Sequence, residues 1–171
     1  VSQGQNGALW FGTGNGISSY DGSEFTHYPF EEKMENDYVH DLIIDDEEII
    51  WCATHNGLVR FKHGEWTVLH ENGGPTNQII NHIFIDHDNN VWLAYEAIGI
   101  HFINGSHWDF LETIDASGMT EGYDDTKWFV GKRKVFSYQN NTVMEYEFSN
   151  QVFSVAADIP EHKIWFGARN G

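Results

Sequence analysis

The sequence is poor in the residues that cross-link a chain, break its strands or carry positive charge. It has one cysteine among 171 residues, Cys52, so no internal disulfide can form. That cysteine directly follows Trp51 in a strand-like run, which reads as a buried structural thiol rather than a nucleophile. The cysteine count leaves the compartment open. Proline is rare, with three residues, and no segment carries the 3.6-residue apolar period of a helix. No run of about 18 apolar residues occurs, and no positive-then-apolar leader. Nine Lys and Arg face 26 Asp and Glu, a formal charge of −17. A nucleic-acid site needs cations to displace phosphate counterions, so this balance excludes that partner and disfavours anionic membrane surfaces. The acidic residues are scattered through turns, the pattern of a solvated surface. The chain opens on Val1 inside a repeat unit, which reads as a processed protein or a piece of a longer one.

What the sequence has in quantity is aromatic residues, 15% of the chain, and most of them recur in one phrase. It reads ALWFGTGNG from Ala8, IWCATHNG from Ile50, VWLAYEAIG from Val91, KWFVG from Lys127 and IWFGARNG from Ile164. The tryptophans Trp10, Trp51, Trp92, Trp128 and Trp165 are 41, 41, 36 and 37 residues apart. A period near 40 residues marks a repeat architecture.

The second unit is the clearest. Residues 38–45, 49–54, 58–62 and 65–70 are strand-length runs rich in β-branched and apolar residues, separated by polar or Asn-Gly turns. The third unit repeats the plan over 78–85, 90–95, 100–103 and 106–113. The fourth is degenerate, because its first run, 118–123, is poor in apolar residues. The expected blades are therefore 1–30 (lacking a first strand), 37–71, 78–115, 118–150 and a partial unit 151–171. Four antiparallel strands per repeat predict an all-β fold, a β-propeller of about four blades, as an incomplete ring or one assembled with more protein. Pairing of residues 152–157 with 8–13 is one way such a ring closes. Within the phrase, the tryptophan and the residue after it alternate faces, and the small residues Gly12, Ala53, Ala94 and Gly167 allow close approach of neighbouring sheets.

The phrase resembles the two-component regulator propeller repeat. Residues 7–17, 45–58 and 86–100 carry it best, 158–171 in part, and 118–150 depart from it. The trailing-strand aromatics Phe25, Tyr28, Trp66 and Trp108 fit as well. Proteins of that family are large bacterial sensors, with two tandem seven-bladed propellers ahead of a β-sandwich, a membrane span and a histidine kinase. The resemblance implies a non-catalytic sensory module on the periplasmic or extracellular side, recognising glycan fragments. This chain holds only about four blades' worth of strands, so further blades or a second copy of the chain are implied partners.

Ten histidines invite a metal reading, but His40, His55, His63, His70, His82, His87, His101 and His107 show no short ligand spacing. The turn DHDNN offers alternating oxygens at Asp86, Asp88 and Asn90, as calcium loops do, without a Glu at the twelfth position. The turn alone also explains it. In a propeller, first strands line the channel, and the connections into them share a face with the strand two–three turns. That geometry gathers His40, Asp41, Asn81 and His82 near the channel, with His55, Glu96, Lys132 and Arg133 on the turns, beside Tyr38 and the loops 31–37 and 71–77. Such groups suit a glycan or another polar small molecule. Two alternatives stand beside this: a protein–protein interaction platform, and an enzyme similar to streptogramin lyases, propellers that use a His, a Glu and magnesium.

Overall fold

The computed structural model describes residues 1–30, 38–69, 74–75 and 78–169. Among them every regular element is a β-strand, arranged as four four-stranded antiparallel meanders and one hairpin. The first sheet comprises β1 (Ser2–Gln3), β2 (Leu9–Thr13), β3 (Gly16–Tyr20) and β4 (Phe25–Tyr28). The second is β5 (Val39–Ile44), β6 (Ile50–Thr54), β7 (Gly57–Lys62) and β8 (Glu65–Val68). The third is β9 (Ile80–Ile85), β10 (Val91–Tyr95), β11 (Gly99–Asn104) and β12 (His107–Glu112). The fourth is β13 (Gly118–Glu121), β14 (Lys127–Gly131), β15 (Lys134–Gln139) and β16 (Thr142–Glu147). The hairpin pairs β17 (Val152–Asp158) with β18 (Lys163–Ala168).

Successive sheets stack through their first strands, with β5 against β9, β9 against β13 and β13 against β17. Second strands also lean on the next unit, β2 on β5, β6 on β9 and β14 on β17. This is the blade arrangement of a propeller, laid out here as an open arc. The sheets do not close on one another. Residues 152–157 do not pair with 8–13, because the edge of β2 that closure needs is taken by β1. The first unit thus has an opening strand after all, a two-residue stub in which Ser2 faces Trp10 and Gln3 faces Leu9. The fourth unit, despite its weak pattern, forms a complete sheet in regular register.

The core lies between the blades, not within one large centre. Leu42, Ile50, Val59 and Phe61 of the second blade bury Ile17 of the first, and Trp10 packs on the same cluster. Leu93, Tyr95 and Ile83 cover Ala53, Leu58 and Trp51 in the next layer, and Phe129 meets Trp92, Ala94 and Ile100 in the third. The last layer is thin, with Val130, Val135 and Val152 fully buried. The tryptophan phrase works as expected where a following blade exists. Trp92 is 2% exposed and stacks on Phe102 at 4.5 Å, with Phe129 of the fourth blade at 5.8 Å. Trp165, in the hairpin, is 58% exposed. Close approach explains the small residue two after the tryptophan: a Cβ on Gly12 would stand 2.6 Å from Val39 Cγ1 of the next blade. Gly16, which closes the first strand two–three turn at φ 94°, has no room either, since its Cβ would meet the Tyr28 carbonyl oxygen at 2.2 Å. Cys52 lies fully buried on β6, in the layer between the first two blades.

Candidate functional site

A meander places its strand one–two turns on one face of the arc and its strand two–three turns on the other. The two faces handle polar groups differently.

On the one–two face, each turn folds around a pivot six residues before the tryptophan: Gly4, Asp45, Asp86, Gly122 and Ile159. The third residue after the pivot sits in the left-handed region, as Gly7, Glu48, Asn89, Asp125 and His162, and in every unit its N–H donates to the pivot carbonyl. Where the pivot is aspartate, its carboxylate organises the turn. Asp45 accepts the N–H groups of Glu47 and Ile49 at 2.9 and 2.8 Å and the Trp51 indole at 2.8 Å. Asp86 accepts the N–H groups of Asp88 and Asn90, the Asn90 amide and the Trp92 indole. Lys127 of the fourth blade adds its ammonium 3.3 Å from Asp86 Oδ2. Burial alone raises the Asp86 carboxyl, but the donors from Asn90 and Trp92, with the Lys127 charge, hold it below the usual carboxylate range. The calcium-like oxygens of Asp86, Asp88 and Asn90 therefore belong to a turn whose first carboxylate is already committed to N–H donors.

The same face is latched from blade to blade. At three of the four blade junctions the first residue after one pivot meets the third residue after the next. Gln5 N–H donates to Glu48 Oε1 at 2.8 Å, His87 Nδ1 lies 3.5 Å from Asp125 Oδ1, and Tyr123 stacks on His162 at 4.2 Å. Between the third and fourth blades the latch is a charge network. Glu121 accepts the His87 backbone N–H at 2.9 Å, lies 3.0 Å from His87 Nδ1, and pairs with Lys127 at 2.8 Å. The hydrogen bond to Glu121, with the Asp88 and Asp125 charges, raises the His87 pKa above its ordinary value of 6.5. Burial pulls Glu121 up and Lys127 down, and their mutual bond outweighs it, so Glu121 stays low and Lys127 high. His87, Glu121 and Asp125 bring ligand atoms within 4.8 Å of one another, and the Lys127 ammonium already pairs with the Glu121 carboxylate at 2.8 Å.

The expected site residues lie at the opposite end of the strands, and the structure gathers them as pairs. His40 and Asn81 are the extra residues of β-bulges at the start of β5 and β9. Phe153 occupies the same place on β17. A bulge re-aims a side chain without ending the strand. His40 faces His55 with ring centres 5.9 Å apart. Asp41 Oδ2 lies 3.7 Å from His82 Nδ1, and Asp41 also accepts the N–H groups of Leu42 and Ile83, binding the second blade to the third. Glu96 is exposed, anchored by its N–H to the Ile79 carbonyl. Below that turn, Tyr95 Oη and His101 Nε2 are buried atoms without a hydrogen-bond partner among the described residues. Burial pushes the Tyr95 phenol well up and His101 down. The loops 31–37 and, apart from Gly74 and Pro75, 71–77 lie outside the described residues.

Lys132 and Arg133 are brought together with a residue not expected on this face, Arg169. They share a pocket of about 410 Å³ with Ser149, Asn150 and Gln151. A second groove of about 610 Å³ adjoins through the same two residues and runs past Thr113, Asp115, Phe136 and Val143. One register signal points to Arg169: the fourth residue after each repeat tryptophan is Gly14, His55, Glu96, Lys132 and Arg169 in turn.

No protein-family model matches the sequence, and no curated protein matches it either. Solved structures do resemble the fold. The extracellular domain of a B. thetaiotaomicron protein described as a hybrid two component system matches 98% of this chain with a TM-score of 0.77 and 19% identity. The chain spans 25% of that protein's length. The WD40 β-propeller domain of Doa1 matches 96% of the chain over 58% of its own length, with a TM-score of 0.72 and 13% identity. A Xanthomonas campestris gluconolactonase matches 90% over 62% of its length, with a TM-score of 0.66 and 10% identity. At these identities the likeness establishes the architecture: an all-β arc of propeller blades, similar in fold to the extracellular domains of bacterial two-component sensors.

Proposed function

We propose that this arc is a non-catalytic recognition module, the extracytoplasmic sensing part of a bacterial signalling receptor, which binds a glycan or another polar ligand on the strand two–three face. The observation that carries the reading is the asymmetry of the faces. The one–two turns spend their carboxylates and cations on one another, whereas the two–three turns present His55, Glu96, Lys132 and Arg169 to solvent, with Lys132 and Arg169 lining one pocket and Lys132 also lining the groove beside it. Ligand sites need a few placed polar groups beside apolar surface, and the larger groove offers both. The likeness to an extracellular sensor domain agrees with this role. Further blades, from the same chain or a second copy, are the natural cover for Trp165, whose counterpart Trp92 is buried by the blade that follows it.

Catalysis is the competing reading, and the Asp41–His82 pair favours it. At 3.7 Å the pair is longer than a hydrogen bond, and the carboxylate already serves two backbone N–H groups. A thermal-shift screen of purified oligosaccharides separates the readings, since a ligand that binds only the folded protein raises Tm. The recognition reading expects at least one oligosaccharide to raise Tm and to be recovered intact. Recovery of cleaved or modified sugar would reverse it in favour of an enzyme.

A further inference from the structure

The strongest feature left over is the distribution of positive charge. The chain has nine Lys and Arg against 26 Asp and Glu, so carboxylate partners are plentiful. Lys62, Lys127, Lys134 and Lys163 each sit on one, at 3.1, 2.8, 2.6 and 3.3 Å. Arg60, Arg133 and Arg169 do not: among the described residues none has a carboxylate within ion-pair distance, and Arg133 and Arg169 line the same pocket with Lys132. Lys132 pairs with Asp115 at 3.1 Å, with side chains 80% and 58% exposed, a contact that solvent or a ligand displaces at little cost.

The pocket is also held in place from below. Arg133 Nη2 donates to the Ser149 carbonyl at 2.7 Å, which fixes one edge of the guanidinium and leaves its remaining N–H groups for a ligand. The Arg169 N–H donates to the Gln151 carbonyl, and the Val152 N–H to the Lys132 carbonyl, so both turns are tied to the same connecting segment. Ser149, Asn150 and Gln151 supply neutral hydroxyl and amide groups between the cations. The volume lies within the roughly 300–1,000 Å³ of small-molecule sites. Carboxylates stand close by as well, Asp115 beside Lys132 and Glu112 and Glu145 along the adjoining groove, so anion selectivity is confined to the pocket of Arg133 and Arg169. Acidic groups more than about 8 Å away are largely screened at physiological ionic strength.

We propose that the pocket of Lys132, Arg133 and Arg169 receives the carboxylate or sulfate of an acidic sugar, while the adjoining groove takes the neighbouring residues of the oligosaccharide. The assignment rests on the ligand-binding reading above and narrows its substrate class. A guanidinium fork matches a carboxylate or sulfate edge with two parallel hydrogen bonds, and two such forks beside an ammonium select for that group over a neutral hydroxyl.

The test is calorimetric titration of the intact chain with trigalacturonate, a sulfated galactose disaccharide, neutral maltotriose, and sodium sulfate alone. At least one acidic oligosaccharide is expected to bind, more weakly at high ionic strength. Arg169→Gln, at a side chain with no hydrogen bond among the described residues, should weaken it at least about tenfold with Tm unchanged. Arg133→Gln should weaken it as well. Lys163→Gln, on the opposite face, should leave it as it is. Preference between the two acidic sugars assigns carboxylate or sulfate. Binding of maltotriose alone, indifferent to Arg169→Gln, overturns the acidic-sugar assignment and leaves the polar-ligand reading standing. Sulfate alone binding as tightly as either acidic sugar also overturns it, in favour of a simple anion site. Failure of every sugar to bind overturns both readings.

Discussion

The two ends of the blades are built from the same repeat and reach opposite states. At the one–two end, Asp45, Asp86, His87, Glu121 and Lys127 each face a partner within the turn or across to the next blade. At the two–three end, the equivalent position carries a different residue in every blade, Gly14, His55, Glu96, Lys132 and Arg169, each exposed, and Lys132 has only a solvent-exposed pairing with Asp115. A repeat fold must latch its units together somewhere, because each blade buries its apolar face only against its neighbours. Here the latch occupies one face, and the other is left to vary. Function belongs on the face whose polar groups structure has not used.

The comparison breaks most sharply at Asp86. Asp86→Ala removes the acceptor of the Trp92 indole and of two backbone N–H groups, and strips Lys127 of one partner. We expect a loss of about 2–4 kcal/mol in chemical denaturation, since buried donors are left without acceptors. Asp45→Ala, with a half-exposed turn and no cross-blade cation among the described residues, should cost about 1–2 kcal/mol by the same assay. A cost for Asp86→Ala no larger than that for Asp45→Ala would remove the cross-blade network from the account.

The latch is also expected to respond to pH in two directions. His87 has its folded pKa raised, so its contribution is fully present below the ordinary value of 6.5 and is lost as pH rises through the higher folded value. Asp86 and Glu121 have theirs lowered, so their contribution is present above the usual carboxylate range and disappears on acidification through the depressed values. The Tm difference between the parent chain and His87→Gln should therefore be largest on the acidic side of neutrality and shrink toward alkaline pH. A difference that grows with pH would contradict the Glu121 pairing. The smallest effect is reserved for the other face. Glu96→Ala and His55→Ala should change stability by no more than about 0.5 kcal/mol, as exposed substitutions do.

Much of this fold was legible because its determinants are local. Alternating apolar residues and Asn-Gly turns placed the strands of the second and third blades to within about two residues of those observed. The first strand of the fourth blade was placed as closely, at 118–123, although its own composition is weak: Gly118–Glu121 gains its order from Val130 and from β17 of the next unit. The opening strand Ser2–Gln3 is too short to leave a pattern, and it takes the edge on which ring closure would depend. The aspartate six residues before the tryptophan was visible as part of a phrase, but its work on the indole depends on the fold of the turn. Lys127 and Glu121 act on residues more than thirty positions away, beyond any local reading.

For the candidate site, His40, Asp41, His55, Asn81, His82, Glu96, Lys132 and Arg133 share the expected end of the strands, but they do not form one cluster: His40 faces His55, Asp41 lies by His82, and Lys132 and Arg133 line one pocket. Arg169 went unread because the last unit looked like scaffold alone. Its register with Lys132, His55 and Glu96 was the available signal.

The most direct test of the account is an amide chemical-shift map recorded as an oligosaccharide that raises Tm is titrated into the chain. Shifts are expected at the turns of His55, Glu96, Lys132 and Arg169 and along Ser149–Gln151, with none at the turns that begin at Asp45 and Asp86. Shifts concentrated on those one–two turns, or a sugar consumed during the titration, would contradict it.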